Sequence, residues 1–279
     1  MALMRRTLEA TIVLISFFLL STACGGDGAD MNAGPTENQP NAPTGSPPIP
    51  MSSAPPNFIT ERHSATDTAT LPPGAPQSTA TLSLNVSTNN TLLIAAWHAE
   101  YDGGFPDSWA VTDNGMPGTE MLDTNGYNGG NGNRRFRIYY WLDPPPGLNT
   151  VVVTNPLAND TPNELAVSVV LFSNVSQLNP LGTIEADVST HPRTGETEMV
   201  PSTTTDLVVH VIADALFTMG TLGNGETTRS VANDGIHQDM GDASLWISTK
   251  PGEPSSTTVS SSGWASQVIN GAAIVVHGL

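Results

Sequence analysis

The chain has almost no cysteine, almost no lysine and little positive charge. Its single cysteine, Cys24, precludes an internal disulfide framework and any cysteine-rich metal site. Lys250 is the only lysine, and nine basic side chains stand against 26 acidic ones, a formal net charge of −17. A phosphate backbone needs an apposed cationic surface, so this balance argues against nucleic acid as a partner. Charged residues make up only 13 % of the chain, about half the usual share, so solubility rests on Ser, Thr, Asn and Gly. Motifs for several chemistries are also missing. There is no Gly-x-Ser-x-Gly nucleophile turn, no glycine-rich phosphate loop opening a helix, and no His-Glu-x-x-His zinc motif. No stretch of ten or more residues beyond the first two dozen carries a 3.6-residue period, so helix is not expected.

What is present is turn chemistry and export chemistry. Glycine and proline together supply 49 of 279 residues, well above the usual share of about 12 %. Arg5 and Arg6 precede an apolar run from Ala10 to Leu20, and Ser21-Thr22-Ala23-Cys24 follows. That is the layout of a secretory signal, since the run is about half the ~20 residues needed to span a bilayer. Leu20-Ser21-Thr22-Ala23-Cys24 resembles the lipobox of bacterial lipoproteins, although Ser21 stands where that family usually has leucine. The resemblance implies cleavage after residue 23, diacylation of Cys24 on sulfur, and a membrane partner reached through the lipid. Gly25 and Gly26, in place of the aspartate that tends to retain such proteins at the inner membrane, imply the outer membrane or cell surface. Residues 24–78 hold eleven prolines among small polar residues and read as a disordered tether, with too little apolar surface to offset the entropy of ordering. About fifty such residues have a root-mean-square reach of roughly 40 Å.

From residue 79 to 279 the pattern becomes one of short period-two runs separated by Gly, Asn, Asp and Pro, which reads as an all-β domain. Thr81–Ser87 alternates as a half-buried strand, while Leu92–Ala99 is apolar on both faces and reads as a more central one. The sequence also resembles itself. Thr91–Ala96 lies over Asp206–Val211, Thr112–Gly115 over Ala232–Gly235, Trp141 over Trp246, and Pro146-Gly147 over Pro251-Gly252. Two pseudo-repeats, about 91–172 and 206–277, therefore predict a single large, jelly-roll-like β-sandwich built from two equivalent halves. Under this alignment the first half carries about fifteen extra residues within 116–133, a polar insertion whose shortening is expected to cost little stability. The order Leu92-Leu93-Ile94, Val111–Gly115, Ile138–Trp141, then Pro145-Pro146-Gly147 and Val151–Val153 resembles a β-sandwich module recurring in secreted bacterial and phage-encoded proteins of unknown activity. That resemblance implies a fold and brings no catalytic motif.

Candidate ligand-binding residues are those found in the first half only. Trp109 and Tyr127 would provide flat faces for sugar stacking, with Asp123, Asn125 and Asn128 as acceptors for hydroxyl groups. Asp102, Asp107, Asp113 and Asp123 sit in Asn/Gly-rich turns whose hard oxygen donors suit calcium, without the spacing of a known calcium loop. His98, His210 and His277 fall in apolar strands and read as satisfied structural histidines. These features predict a lipid-anchored, surface-displayed module that binds glycan or envelope material; the alternatives are a polysaccharide-acting hydrolase or lyase, or a structural envelope component. The anchor is tested directly: Cys24→Ala should abolish fatty-acid labelling and shift the protein from the membrane fraction to the soluble one. Label retained on the variant would refute acylation at Cys24.

Overall fold

The computed structural model describes residues 60–70, 79–101, 109–124, 128–129, 132–154, 164–188, 194–214, 220–232, 243–263 and 269–279, and among these there is no helix. The first ten strands are β1 (Thr60–Thr70), β2 (Thr79–Val86), β3 (Thr91–Tyr101), β4 (Ala110–Asp113), β5 (Met116–Pro117), β6 (Thr119–Thr124), β7 (Asn128–Gly129), β8 (Gly132–Leu142), β9 (Gly147–Thr154) and β10 (Glu164–Ser173). Eight more follow: β11 (Leu181–Val188), β12 (Gly195–Val200), β13 (Asp206–Asp214), β14 (Thr221–Leu222), β15 (Thr227–Ala232), β16 (Ser244–Pro251), β17 (Thr257–Ser262) and β18 (Ile269–His277).

They form four antiparallel sheets. A first central sheet runs β1-β10-β3-β8-β6, with β7 also paired to β8, and a second runs β11-β18-β13-β16-β15. A first outer sheet runs β2-β9-β4-β5 and a second runs β12-β17-β14. The buried side chains set the layering. Leu82, Leu84 and Val153 of the first outer sheet meet Leu93, Trp97 and Val169 of the first central sheet. The opposite face of that central sheet, with Leu92, Ile94 and Phe136, meets Val209, Leu245 and Ile274 of the second central sheet. The far face of the second central sheet, with Val208 and Val275, then meets Val200 and Val259 of the second outer sheet. The result is four layers of antiparallel sheet, an all-β architecture as the period-two pattern predicts. Alternation along a strand sends successive residues to opposite faces, so a sheet covered on both sides must be apolar at every position. β13 is buried along its whole length, which accounts for the unbroken apolar runs of the central strands.

Two expectations change. β1 lies inside the stretch read as tether. Residues 57–71 contain no proline, and the backbone of β1 pairs along β10 from Thr60↔Ser173 to Thr70↔Glu164. Thr60–Thr70 is Thr/Ser/Ala-rich with charged residues between, so hydrophobic periodicity does not mark it. The turn alignment also shifts. Asn114-Gly115 follows β4, the neighbour of β9, whereas Asn224-Gly225 follows β14, the neighbour of β17, and both glycines have φ +82°. Asn224-Gly225 therefore takes the place that the sequence comparison assigned to Asp234-Gly235, which lies outside the described residues. From Asn114 to Trp141 is 27 positions and from Asn224 to Trp246 is 22, so the excess is about five residues and not fifteen.

The contact between the two central sheets also buries a titratable group. His98 is 1 % exposed, and its Nδ1–H donates to the Ser244 carbonyl of β16 at 3.3 Å. Burial, reinforced by the Arg134 charge, holds the imidazole down at about 3. An unfolded histidine titrates near 6.5, so the unfolded chain takes up this proton first as pH falls. The His98 contribution is thus complete above about pH 6.5 and is lost progressively below it, by roughly 2 kcal/mol at pH 5. Urea denaturation at pH 7 and pH 5 should show His98→Leu losing about that much less than the parent chain. An identical pH dependence in the two proteins would rule this assignment out.

Candidate functional site

The inner faces of the two sandwiches are unlike. On β2 the residues facing inward are Ala80, Leu82, Leu84 and Val86, and opposite them β3 presents Leu93, Ala95 and Trp97. On β12 the inward positions are Glu196, Glu198 and Val200, all buried, with the exposed Thr197 and Met199 between them. Opposite these, β13 presents Val208, His210 and Ile212. Two carboxylates and an imidazole thus occupy an interior that its neighbour fills with aliphatic side chains.

His210 is the centre of the cluster and is wholly buried. Its Nε2–H donates to Glu196 Oε1 at 2.9 Å, and its Nδ1–H donates to Glu226 Oε2 at 2.9 Å. Glu198 Oε2 lies 3.4 Å from the same Nε2; this is an ion-pair distance, since the Nε2 proton is directed at Glu196. Glu226 comes from the turn ahead of β15 and is fixed on all sides. Its Oε2 accepts from Ser248 Oγ at 2.7 Å, and its Oε1 accepts from the Ser260 backbone N–H at 2.8 Å. The other two acids are less well served. Glu196 Oε2 and both Glu198 oxygens are buried without any hydrogen-bond donor, although the side chains are only 1 % and 3 % exposed. Backbone geometry leaves space for Glu196: a Cβ on Gly271 of β18 would collide with its carboxylate.

The electrostatics follow from this geometry. Burial alone would depress the His210 imidazole, but the carboxylates of Glu196 and Glu226 that accept its N–H groups, with Glu198 close by, outweigh it and hold the group well above its usual value. Burial pushes the Glu196 carboxyl up to about 7, against the pull of His210 and with help from Glu198 and Asp187. Burial also acts upward on Glu226, yet its hydrogen bonds to His210, Ser260 and Ser248 keep it below the usual carboxylate range. Ligand atoms of Glu196, Glu198 and His210 all lie within 4.8 Å of one another. One nitrogen and two carboxylate donors at such spacing can hold a divalent cation. From the edge between β11 and β12, a hollow of about 190 Å³ lined by Glu185, Asp187, Thr197 and Met199 reaches Glu198.

The residues singled out from the sequence lie elsewhere. Trp109 is 7 % exposed and stacks on Trp97 at 4.7 Å, so its ring serves the first sandwich core and not a solvent face. Asp123, in β6, is clasped by two arginines of β8: Arg135 Nε donates to Oδ1 at 2.8 Å and Arg137 Nη2 lies 2.8 Å from Oδ2. Arg137 also sits over the Trp97 ring at 5.8 Å. Within the 116–133 stretch, Asp123 is thus tied to β8 by side-chain pairing. Asp113 is fully buried in β4, and burial raises its carboxyl above the usual range. Asn128 pairs with Asn133 in the short β7 ladder. Cys24, Asp102, Asp107, Asn125 and Tyr127 fall outside the described residues. Comparisons with protein-family models, with curated proteins and with solved structures give no match.

The cluster was missed because Glu196 and Glu198 belong to a short strand between the two pseudo-repeats, and Glu226 to a turn. The available signal was their alternation with Val200, which puts all three on one face. The Asp123 network gives a direct test of how the first sandwich is held at its edge. Asp123→Ala leaves two nearly buried guanidinium groups without their shared carboxylate and should cost about 3 kcal/mol in denaturant unfolding. A loss under about 0.5 kcal/mol would show the network to be an exposed surface pair in energetic terms.

Proposed function

We propose that the chain is a lipid-anchored, surface-displayed binding module whose ligand is a glycan or envelope polymer. In this reading its two sandwiches are pseudo-equivalent halves of one jelly-roll-like β-domain. Equivalence is supported by the matching strand orders β1-β10-β3-β8-β6 and β11-β18-β13-β16-β15, together with β2-β9-β4 and β12-β17-β14. Display is supported by Cys24 at the end of the apolar signal and by the proline-rich segment beyond it.

The observation that carries the binding reading is the hollow between β11 and β12. Glu185, Asp187 and Thr197 offer hydroxyl-binding acceptors at its rim, and Glu198 links its floor to the buried cluster. Acid-rich surroundings on a chain of net charge −17 repel polyanions and favour neutral polyols. Glu196, held near 7, favours a second reading as the acid of a polysaccharide-acting hydrolase or lyase. Its side chain is only 1 % exposed, however, so a sugar reaches the rim and not this carboxyl, and binding is preferred over turnover.

The test is the thermal midpoint of the full chain across a panel of neutral and uronate polysaccharides, with product release followed in parallel. A neutral polymer at about a hundred times its Kd should add roughly 2.7 kcal/mol of stability, and Glu185→Lys should remove the shift. Polymer cleavage would support the enzyme reading instead. A midpoint unmoved by every polymer would overturn the glycan assignment.

A further inference from the structure

We propose that Glu196, Glu198 and His210 form a binding site for one zinc-class divalent cation, held in place from behind by Glu226. The proposal stands apart from the glycan reading and does not depend on it.

The two separations from His210 are close to those of ligands around one ion, and all three ligand atoms lie within 4.8 Å of one another. Zinc-to-ligand distances of about 2.1 Å place neighbouring ligand atoms roughly 3.0 to 3.4 Å apart, depending on the coordination angle. Glu196 Oε1 and Glu198 Oε2 stand 2.9 Å and 3.4 Å from His210 Nε2. The donorless oxygens point to a missing electrophile: Glu196 Oε2 and both oxygens of Glu198, Oε2 among them, are buried with no donor. An orphaned buried carboxylate oxygen is costly, and nothing in the fold forces acids here. The corresponding inward positions of β2 are leucine, alanine and valine. Gly271 is the residue that leaves room for Glu196, since any side chain at that position would collide with its carboxylate.

The surroundings are those of a ligating histidine. A metal-bound imidazole generally donates its second N–H to a carboxylate that fixes tautomer and ring orientation. Glu226 accepts the His210 Nδ1–H and is itself held by Ser248 and the Ser260 backbone. Nε2 is thereby the nitrogen aimed at the ion. Binding replaces the Nε2 proton, which leaves to solvent, and the nitrogen lone pair takes up the coordination bond. Three carboxylates now face one imidazolium; a divalent ion with neutral imidazole reduces the uncompensated negative charge by one unit. The acidic hollow lined by Glu185 and Asp187 shares Glu198 with the cluster. One imidazole with two carboxylates and no thiolate suits Zn²⁺, Mn²⁺ or Co²⁺, whereas Ca²⁺ prefers six to eight oxygen ligands and Cu(I) prefers sulfur.

The test uses the full chain, made without a polyhistidine tag and stripped with chelator, titrated calorimetrically with Zn²⁺, Co²⁺ and Ca²⁺. One Zn²⁺ per chain is expected, bound at least about 100-fold more tightly than Ca²⁺, with visible absorption bands appearing on Co²⁺ addition. Glu198→Gln should weaken Zn²⁺ at least about 100-fold, and Glu226→Gln about 10- to 100-fold because it acts through His210. Glu253→Gln, at an exposed acid paired with Lys250 away from the cluster, should change affinity less than about threefold. If Glu198→Gln does not fold, the Co²⁺ spectrum and the stoichiometry of the parent chain decide alone. Absence of saturable binding at about 100 μM Zn²⁺, or equal affinity in a folded Glu198→Gln variant, would overturn the proposal and leave the cluster a buried ion network. Tighter binding of Ca²⁺ than Zn²⁺ would overturn the zinc-class assignment.

Discussion

Apolar contact between the two central sheets is the constraint on which everything else depends. Leu92, Ile94, Phe136, Val170 and Phe172 on one side meet Leu207, Val209, Leu245, Ile247 and Ile274 on the other, all almost or entirely without solvent exposure. Each fully buried side chain of this size contributes roughly 1.5–3 kcal/mol, and truncating one to alanine typically costs 2–5 kcal/mol through the cavity it leaves. Because this interface covers one face of each central sheet and an outer sheet covers the other, the central strands have no solvated face. Polar groups that enter these layers must therefore find partners within the protein. His98 does so through the Ser244 carbonyl, and Ser168 through Ser230 on the opposing sheet.

Against that background the second sandwich stands out. Its interior is apolar around Val200, Val208, Val259, Ala273 and Val275 and apolar again around Ile212 and Trp246. Between these patches lie His210 and three glutamates. A cluster of this kind is weak evidence for stability, since burying charges costs at least as much as their attraction returns. Its presence in one sandwich and its absence from the other place it outside the needs of the fold. The Asp123–Arg135–Arg137 network of the first sandwich differs in kind. It lies along the β6–β8 edge, each Asp123 oxygen in it has a donor, and Arg137 sits over the Trp97 ring.

Much of the architecture was legible in the chain. Doubly apolar runs at 92–99, 165–172, 207–213 and 272–276 mark strands buried on both faces, and each is a central strand. Two features escaped for physical reasons. β1 pairs along β10, but its Thr-, Ser- and Ala-rich sequence carries no hydrophobic imprint. The turn at Asn224-Gly225 was passed over because Asp234-Gly235 offers the same steric signature, and only the neighbouring strand tells the two apart. The candidate site was less legible still. Trp109 and Asp123 sit beside loops in the sequence, yet stacking on Trp97 and pairing with β8 commit both to the framework.

By itself the sequence determined the fold class, the alternation that sets which residues share a face, and the charge balance that argues against a polyanionic partner. It also placed Glu196, Glu198 and Val200 on one side of a short strand, because a period of two is a local property of the backbone. Only the tertiary structure decided that this side faces inward, opposite His210 rather than solvent. Which side is inward depends on how β12 pairs with β17 and how that outer sheet lies over β13 and β18. Those are long-range contacts, and residues 196, 210, 226 and 271 have no proximity until they form.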